Sequence, residues 1–174
     1  MKNLILISLD CVRPDALGVY NPAGPDRANW RYRLARWFRA GYSHTPNLDA
    51  IAEGGLAVED VFTPAPFTPP AHASIFTGLY PQRHGVRLLM GQRMRDDVPT
   101  IADALRARGY QTAAVPAVFI LNSQTGILRG FDYVDDVEEG FWLERGGHWR
   151  DASSVIESFA RFLGQRDGSR PFFA

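Results

Sequence analysis

The chain opens on an almost unbroken apolar run, Leu4 to Leu9, closed by Asp10. A short run of this kind, rich in isoleucine and leucine, predicts a strand buried on both faces, as in a parallel sheet. Asn21 to Pro25 carries two prolines and a glycine and reads as a loop. In the following stretch, Asp26 to Ala40, Trp30, Leu34, Trp37 and Phe38 recur at helical spacing among Arg27, Arg31, Arg33, Arg36 and Arg39. Thr45-Pro46-Asn47-Leu48-Asp49 opens a further helix, with Thr45 as its cap and Pro46 in its first turn, and Gly54-Gly55 closes it. Leu56 to Phe62 alternates as a strand does. A proline-rich stretch from Thr63 to Pro70 gives way to a short helix over Ala71 to Thr77, stopped at Gly78. Pro99 to Arg108 is helical up to Gly109, Tyr110 to Val115 is a strand, and Phe131 to Val134 is another short one. Asp151 to Arg166 has the clearest amphipathic pattern, with Ala152, Val155, Ile156, Phe159, Phe162 and Leu163 on one stripe and Asp151 as cap. After a turn at Ser169–Pro171, Phe172-Phe173-Ala174 begins one more strand.

Strands alternating with helices predict an α/β domain with a mostly parallel sheet sandwiched by helices. With 45% hydrophobic and 22% charged residues the composition is that of a globular domain, which excludes disorder across the whole chain. The 19 basic and 19 acidic residues cancel, so no general attraction to nucleic acid is expected. Cys11 is the single cysteine, and no disulfide can form within the chain. The apolar start is too short for a signal peptide and no stretch has the length of a membrane span, so a cytoplasmic protein is expected. Two readings stand for the arginine-rich segment within residues 21–43: a basic helix that touches an anion or a membrane surface, or an inserted helix packing its aromatics on the domain.

Three residues can carry chemistry. Asp10 ends the first predicted strand, and open α/β sheets bind ligands outside the carboxyl ends of their strands. A carboxylate there either holds a hard divalent cation or caps the turn that follows. Thr68 precedes Pro69-Pro70-Ala71-His72, and if the helix begins near Pro69 or Pro70 it lies at the helix N-terminus. The N-terminus of a helix favours phosphate or sulfate and would stabilise a threonine alkoxide, while threonine is equally a favoured cap. His72 lies one turn along and can reach the same anion.

Thr68 to Gly78 resembles the nucleophile signature of the sulfatases, the sulfatase-like branch of the alkaline phosphatase superfamily. Thr68 falls on the signature's Cys or Ser, Pro70 on its proline, Ala71 on its serine, His72 on its arginine and Thr77-Gly78 on its Thr-Gly. Leu9 to Asp15 resembles the family's first metal-binding strand end, Thr45 to Ala52 its Thr-Pro-Asn-Leu-Asp helix, Tyr80 to Val86 the run after the nucleophile helix, and Gly109 to Ala113 and Gly130 to Asp132 later pieces, all in order. The resemblance implies an alkaline phosphatase-like fold, of which residues 1–174 are the N-terminal portion. It implies hydrolysis of a small anionic sulfate or phosphate ester, with Thr68 and His72 catalytic and a divalent metal (zinc, manganese, calcium or magnesium) held by Asp10, Cys11 and Thr68. His84 either contacts substrate or orders the loop behind the nucleophile helix.

Departures from the family's pattern refine these expectations. Threonine cannot become the formylglycine of true sulfatases, because its β-carbon carries a methyl, so Thr68 resembles the nucleophile of the superfamily's phosphodiesterases and phosphomutases. Cys11 replaces a frequent second aspartate; as a thiolate it favours zinc, and as a thiol it is a small buried side chain. Pro116-Ala117-Val118-Phe119 stands where sulfatases have Gly-Lys-Trp-His, which counts against arylsulfatase activity. The family's remaining metal ligands follow a Pro-Phe-Phe strand like Pro171-Phe172-Phe173. The chain is therefore expected to be a truncated portion with little turnover by itself, and an unfinished sheet edge would favour pairing into a homo-oligomer. A phospho-transferase or mutase, and a non-catalytic remnant that binds a partner, are the competing functions. His44 and His148 read as surface residues, and Asp135, Asp136, Glu138 and Glu139 as a solvated acidic loop.

Overall fold

A computed structural model describes residues 2–20, 45–136 and 149–174. The predicted inserted helix, His44, His148, Glu138 and Glu139 lie outside the described residues. The chain forms two compact units, Met1–Ile7 with Thr63–Ala174, and Ser8–Phe62.

In the larger unit, β1 (Gln111–Ala114), β2 (Tyr133–Val134) and β3 (Phe172–Phe173) form a parallel sheet in the order β2-β1-β3. Ala113 faces Tyr133 and Gln111 faces Phe172 in the register. The sheet is sandwiched because its side chains alternate between faces. Ala113 and Phe172 pack with Phe162 against α5 (Ala152–Gln165), while Phe173 packs with Ala102, Leu105 and Tyr110 against α4 (Ile101–Arg106). A larger cluster, with Ala73, Phe76, Val86, Met94, Leu121 and Ile127, joins α2 (Thr68–Thr77) to the loops after α3 (Pro81–His84) and β1. Phe131 touches both clusters of that second face and stacks on Phe173 at 5.5 Å between centroids. The predicted α/β class and parallel sheet are thus observed.

Local chemistry fixes the element ends. Thr100 and Asp103 form a reciprocal capping box at the start of α4. The Thr100 hydroxyl also donates to the carbonyl of Arg129 at 2.9 Å, tying the helix to the loop before β2. Gly130 follows with φ +89°, and a Cβ there would lie 2.6 Å from the backbone nitrogen of Asp103, so only glycine lets that loop touch the cap. Asp151 caps α5 by accepting from the Ser154 N–H at 2.7 Å, as expected. On α5 the buried face is centred on Ser158 and Phe162, whereas Ile156 and Leu163, both expected to face the core, are exposed.

Four expectations are corrected. Leu4 to Leu9 does not form a strand buried on both faces. Leu4 makes a single parallel bridge to Phe173, Leu4 and Leu6 bond to the Phe172 and Ala174 carbonyls at 2.8 and 2.7 Å, and the run stays exposed. The reason is position: it lies along the outer side of β3, where only one ladder is available. Leu56 to Phe62 alternates but has no ladder partner among the described residues, and its side chains remain exposed. Thr45 does not cap the helix it precedes, α1 (Pro46–Glu53). Its hydroxyl donates to Asp49 and accepts from the Gly18 N–H, both at 3.0 Å, while Asp49 accepts from the Val19 N–H at 2.9 Å. Asp135 and Asp136 are not a solvated run. Asp135 ion-pairs with Arg150 at 3.0 Å and Arg161 at 2.6 Å, and Asp136 accepts from the Ser123 N–H and hydroxyl.

Candidate active site

The helix α2 begins one turn earlier than its apolar pattern suggested. Phe67 is its extended N-cap residue, with no side-chain cap bond, and Thr68 is the first helical residue. Pro69 and Pro70 suit the opening turn through their fixed φ and are buried. Gly78, at φ +68°, closes the helix in the left-handed conformation. Thr68 is half-buried, and the N-cap position belongs to Phe67 rather than to Thr68.

This beginning changes what the helix can offer an anion. A helix normally presents its first N–H groups. Here Pro69 and Pro70 have none, and the Ala71 N–H bonds to the Phe67 carbonyl at 3.1 Å. Of the four main-chain groups that open the helix, at most the N–H groups of Phe67 and Thr68 can point at an anion. The two prolines thus halve the backbone donors that the helix start was expected to offer an anion.

His72 stands one turn along the helix. Its Nδ1 lies 2.8 Å from the Thr68 carbonyl oxygen, which can only accept. The proton is therefore on Nδ1, and in the neutral ring Nε2 carries the lone pair. Phe76 packs edge-on against the imidazole at 6.3 Å between centroids. The ring is held on the same turn as the Thr68 hydroxyl by a bond to Thr68 itself.

His84 lies deeper. It is fully buried, with Nδ1 accepting from the Val86 N–H at 3.2 Å and Nε2 at 2.9 Å from the Ser74 hydroxyl. The Val86 contact places the proton on Nε2, which donates to Ser74. Burial holds its pKa below the usual histidine value. Both nitrogens are used by the fold, an arrangement that favours the second reading of His84, ordering the loop behind the helix. Ser74, its partner on α2, escaped notice in the sequence because nothing in their spacing marks a pair ten residues apart.

Asp10 and Cys11 belong to the smaller unit. Asp10 Oδ1 accepts the Cys11 N–H at 3.0 Å, both residues are exposed, and Cys11 has φ +58°, an uncommon conformation for a residue with a Cβ. The expectation of a small buried thiol is corrected by that exposure. A carboxylate at such a turn suits a hard divalent cation as one ligand, and an adjacent thiolate suits zinc. Among the described residues no three His, Cys, Asp or Glu side chains group as a metal cage.

A cleft of about 300 Å³ opens beside the first turn of α2 and has Pro69 in its wall. Leu88, Leu89 and Met90 form one side of it, and Phe119 and Ile120 contribute to the lining. Phe119 comes from the Pro-Ala-Val-Phe stretch where the resemblance had Gly-Lys-Trp-His.

Comparison with known proteins adds the lineage. The chain is 31% identical over 117 residues to an endo-4-O-sulfatase of Bacteroides thetaiotaomicron, covering 64% of this chain and 22% of that protein. It is 39% identical over 75 residues to human arylsulfatase A, covering 40% of this chain and 15% of that one. The chain thus spans less than a quarter of the length of these curated relatives. Among solved structures, a protein in complex with its substrate D-glucosamine-2-N,6-O-disulfate superposes with a TM-score of 0.69 at 21% identity, over 99% of this chain and 33% of that one. A 2-O glycosaminoglycan sulfatase superposes at 0.64 with 18% identity, over 99% of this chain and 33% of that one. These likenesses show the alkaline phosphatase-like fold of the sulfatases. The model of the Sulfatase family matches residues 2–174, nearly the whole sequence, and the chain belongs to that family.

Proposed function

We propose that this chain forms the nucleophile-bearing part of a sulfate-ester hydrolase, with Thr68 as the attacking group. The position of Thr68 carries the reading: it opens a ten-residue helix, is half-buried, and has His72 anchored to its own carbonyl one turn away. The Thr68 hydroxyl gives up its proton to solvent as its oxygen forms a bond to sulfur and the bond from sulfur to the ester oxygen breaks, and the departing alkoxide takes up a proton to leave as the alcohol. Water then attacks sulfur, releasing sulfate and restoring the hydroxyl. His72, held by the bond between its Nδ1–H and the Thr68 carbonyl, is the side chain that contacts the ester group in this reading. In protonated form it donates there, supplying the side-chain contact that the two prolines deny the backbone.

A divalent cation with Asp10 among its ligands belongs to this reading through the family, and when bound it supplies the positive charge that makes an alkoxide accessible near neutral pH. The partial donor set supports weak metal binding and little turnover by this chain alone. Thr68 itself favours a second reading, hydrolysis or transfer of a phosphate ester, since the family's formylglycine chemistry is closed to a residue with a β-methyl.

The test is Thr68→Ala in the protein as its source produces it, assayed on sulfate monoesters, phosphate monoesters and phosphodiesters with and without chelator. Turnover of the sulfate ester should fall by at least about a thousandfold, with the fold unchanged by circular dichroism. Turnover that survives the substitution removes Thr68 from its role. A wild-type preference for phosphate esters replaces the first reading with the second.

A further inference from the structure

The cleft beside α2 is lined by two kinds of chemistry. Its apolar part is Leu88, Leu89, Met90, Phe119 and Ile120, the first three of them exposed. Its polar part centres on Gln92, Arg93 and Asn122. The two amides are oriented by the main chain. Gln92 Oε1 accepts from the N–H groups of Arg87 and Leu88 at 2.5 and 2.9 Å, and Asn122 Oδ1 accepts from the Gln124 N–H at 3.1 Å. A main-chain N–H can only donate, so it marks which end of each amide is oxygen. Each amide has its NH2 group left, and neither nitrogen has a hydrogen-bond partner among the described residues. Asn122 is only 7% exposed and lines the cleft, so its spare donor is offered there. Arg93 adds the charge. It donates to the Gln124 carbonyl at 2.9 Å and to Asp96 at 3.3 Å, but Asp96 is exposed and also stands 3.6 Å from Arg129. One carboxylate thus serves two guanidinium groups, and the described residues of the lining include no Asp or Glu. The polar part is a set of donors around a partly compensated positive charge.

From this we infer that the cleft binds a small monocarboxylic acid with an apolar body, its carboxylate on Arg93 and the Gln92 and Asn122 amides and its chain along the 88–90 loop. Spare donors call for oxygens that only accept, and the two coplanar oxygens of a carboxylate match the guanidinium fork. One partly balanced guanidinium matches a single negative charge rather than two. At about 300 Å³ the cleft lies at the small end of ligand sites, which suits a short chain. The lining holds neither Thr68 nor His72, and the inference does not rest on the role proposed for Thr68.

The test uses the protein as its source produces it, with octanoate as the probe. Calorimetric titration should show saturable binding at least about tenfold tighter than that of acetate, which lacks the chain, or of octan-1-ol, which lacks the charge. Nuclear Overhauser effects from bound octanoate should fall on the methyl groups of Leu89 and Ile120. Gln92→Glu keeps both acceptor bonds of the loop and turns the spare donor into an anionic oxygen, and Asn122→Asp does the same beside the Gln124 N–H. Each should weaken octanoate binding at least about tenfold and leave that of octan-1-ol unchanged, a selectivity that loss of the fold would not give. Should Asn122→Asp fail to fold, Gln92→Glu decides alone. The inference is overturned by a wild type that does not bind octanoate saturably or binds octan-1-ol as tightly, by unaltered octanoate affinity in Gln92→Glu, or by Overhauser effects outside the cleft. Tighter binding of octane-1-sulfonate than of octanoate overturns the carboxylate as the ligand's head group.

Discussion

Phe162 and Phe62 are the same side chain in opposite circumstances. Phe162, on α5 in the larger unit, is 5% exposed and packs with Ala113 and Phe172, whereas Phe62, at the end of the smaller unit, is 90% exposed. The contrast holds for the units as wholes. The larger one contains all three apolar clusters, while no described residue of the smaller one is buried. What orders the smaller unit is polar: the Thr45 and Asp49 side chains hold the turn at Gly18 and Val19, and the Tyr20 hydroxyl donates to the Val58 carbonyl at 3.0 Å. The proposed nucleophile stands in the packed unit and the proposed metal carboxylate in the clamped one.

The largest expected effect tests this contrast directly. Phe162→Ala should cost about 3–4 kcal/mol, as removal of a buried ring does, while Phe62→Ala should stay within about 0.5 kcal/mol. Urea unfolding at unchanged m value measures both. A loss below about 1 kcal/mol for Phe162→Ala, or similar losses for the two, would erase the distinction.

The same two residues show what the sequence could disclose. Phe162 was legible because a helix carries its own periodicity, and Val155, Phe159 and Phe162 on one stripe need no knowledge of the rest of the fold. The segment ending at Phe62 alternates as convincingly, yet alternation predicts only a face, and a strand also needs a partner that sequence spacing does not name. The Leu4–Leu9 run follows the same rule: its composition carries the strand tendency but not its place on the outside of β3. At the site, Thr68 and His72 were legible as one turn of one helix, whereas the general favour of a helix N-terminus for anions overlooked that Pro69 and Pro70 carry no N–H. Ser74 and His84, and Asp135 with its arginines, were hidden because their pairing comes from tertiary packing.

Asp135 carries the next effect, and it belongs to the packed unit although its chemistry is polar. Partial burial pushes its pKa up, but the Ser158 hydroxyl, Arg161 and Arg150 outweigh that and hold it below the usual carboxylate value. Arg150 is itself 14% exposed in its side chain, so removing the carboxylate strands a largely buried cation. Asp135→Asn should cost about 2 kcal/mol at neutral pH. Because the folded pKa is the lower one, this contribution is complete above the unfolded value of about 3.9 and disappears as pH falls through the folded value. The gap between wild type and variant should therefore close in acid. A gap that stays constant down to about pH 2 would show that packing of the side chain, and not its charge, is responsible.

His84 gives a smaller effect with its own pH window. Burial lowers its pKa from 6.5, and a second proton on Nδ1 would also oppose the Val86 N–H. The unfolded chain then binds that proton first as pH falls, so the stability due to neutral His84 is complete above 6.5 and is lost as pH falls through the folded value. His84→Gln keeps a donor for Ser74 and should cost about 1 kcal/mol at pH 7.5 while flattening this dependence. Urea midpoints from about pH 7.5 to about pH 5 read both quantities. An equally steep loss of stability in the variant would assign the dependence to another group.

The smallest effect sharpens the comparison most, because it asks whether the clamped unit has a stability of its own. Thr45 both accepts from the Gly18 N–H and donates to Asp49, and Asp49 takes the Val19 N–H, so two side chains satisfy two main-chain donors of the turn in one connected network. Thr45→Val keeps the shape and removes both bonds of the hydroxyl, at a cost of about 1 kcal/mol. With no buried apolar side chain among its described residues to share the load, the unit should respond locally. Amide exchange at Gly18 and Val19 should quicken about fivefold, while the urea midpoint of the sheet and α5 stays where it was. Asp49→Ala should do the same, and the double variant should lose less than the sum, since either change alone breaks the network. If the slow-exchanging amides of β1 quicken in step with Gly18, the two units open together, and the polar clamp is then part of the stability that holds Thr68 in place.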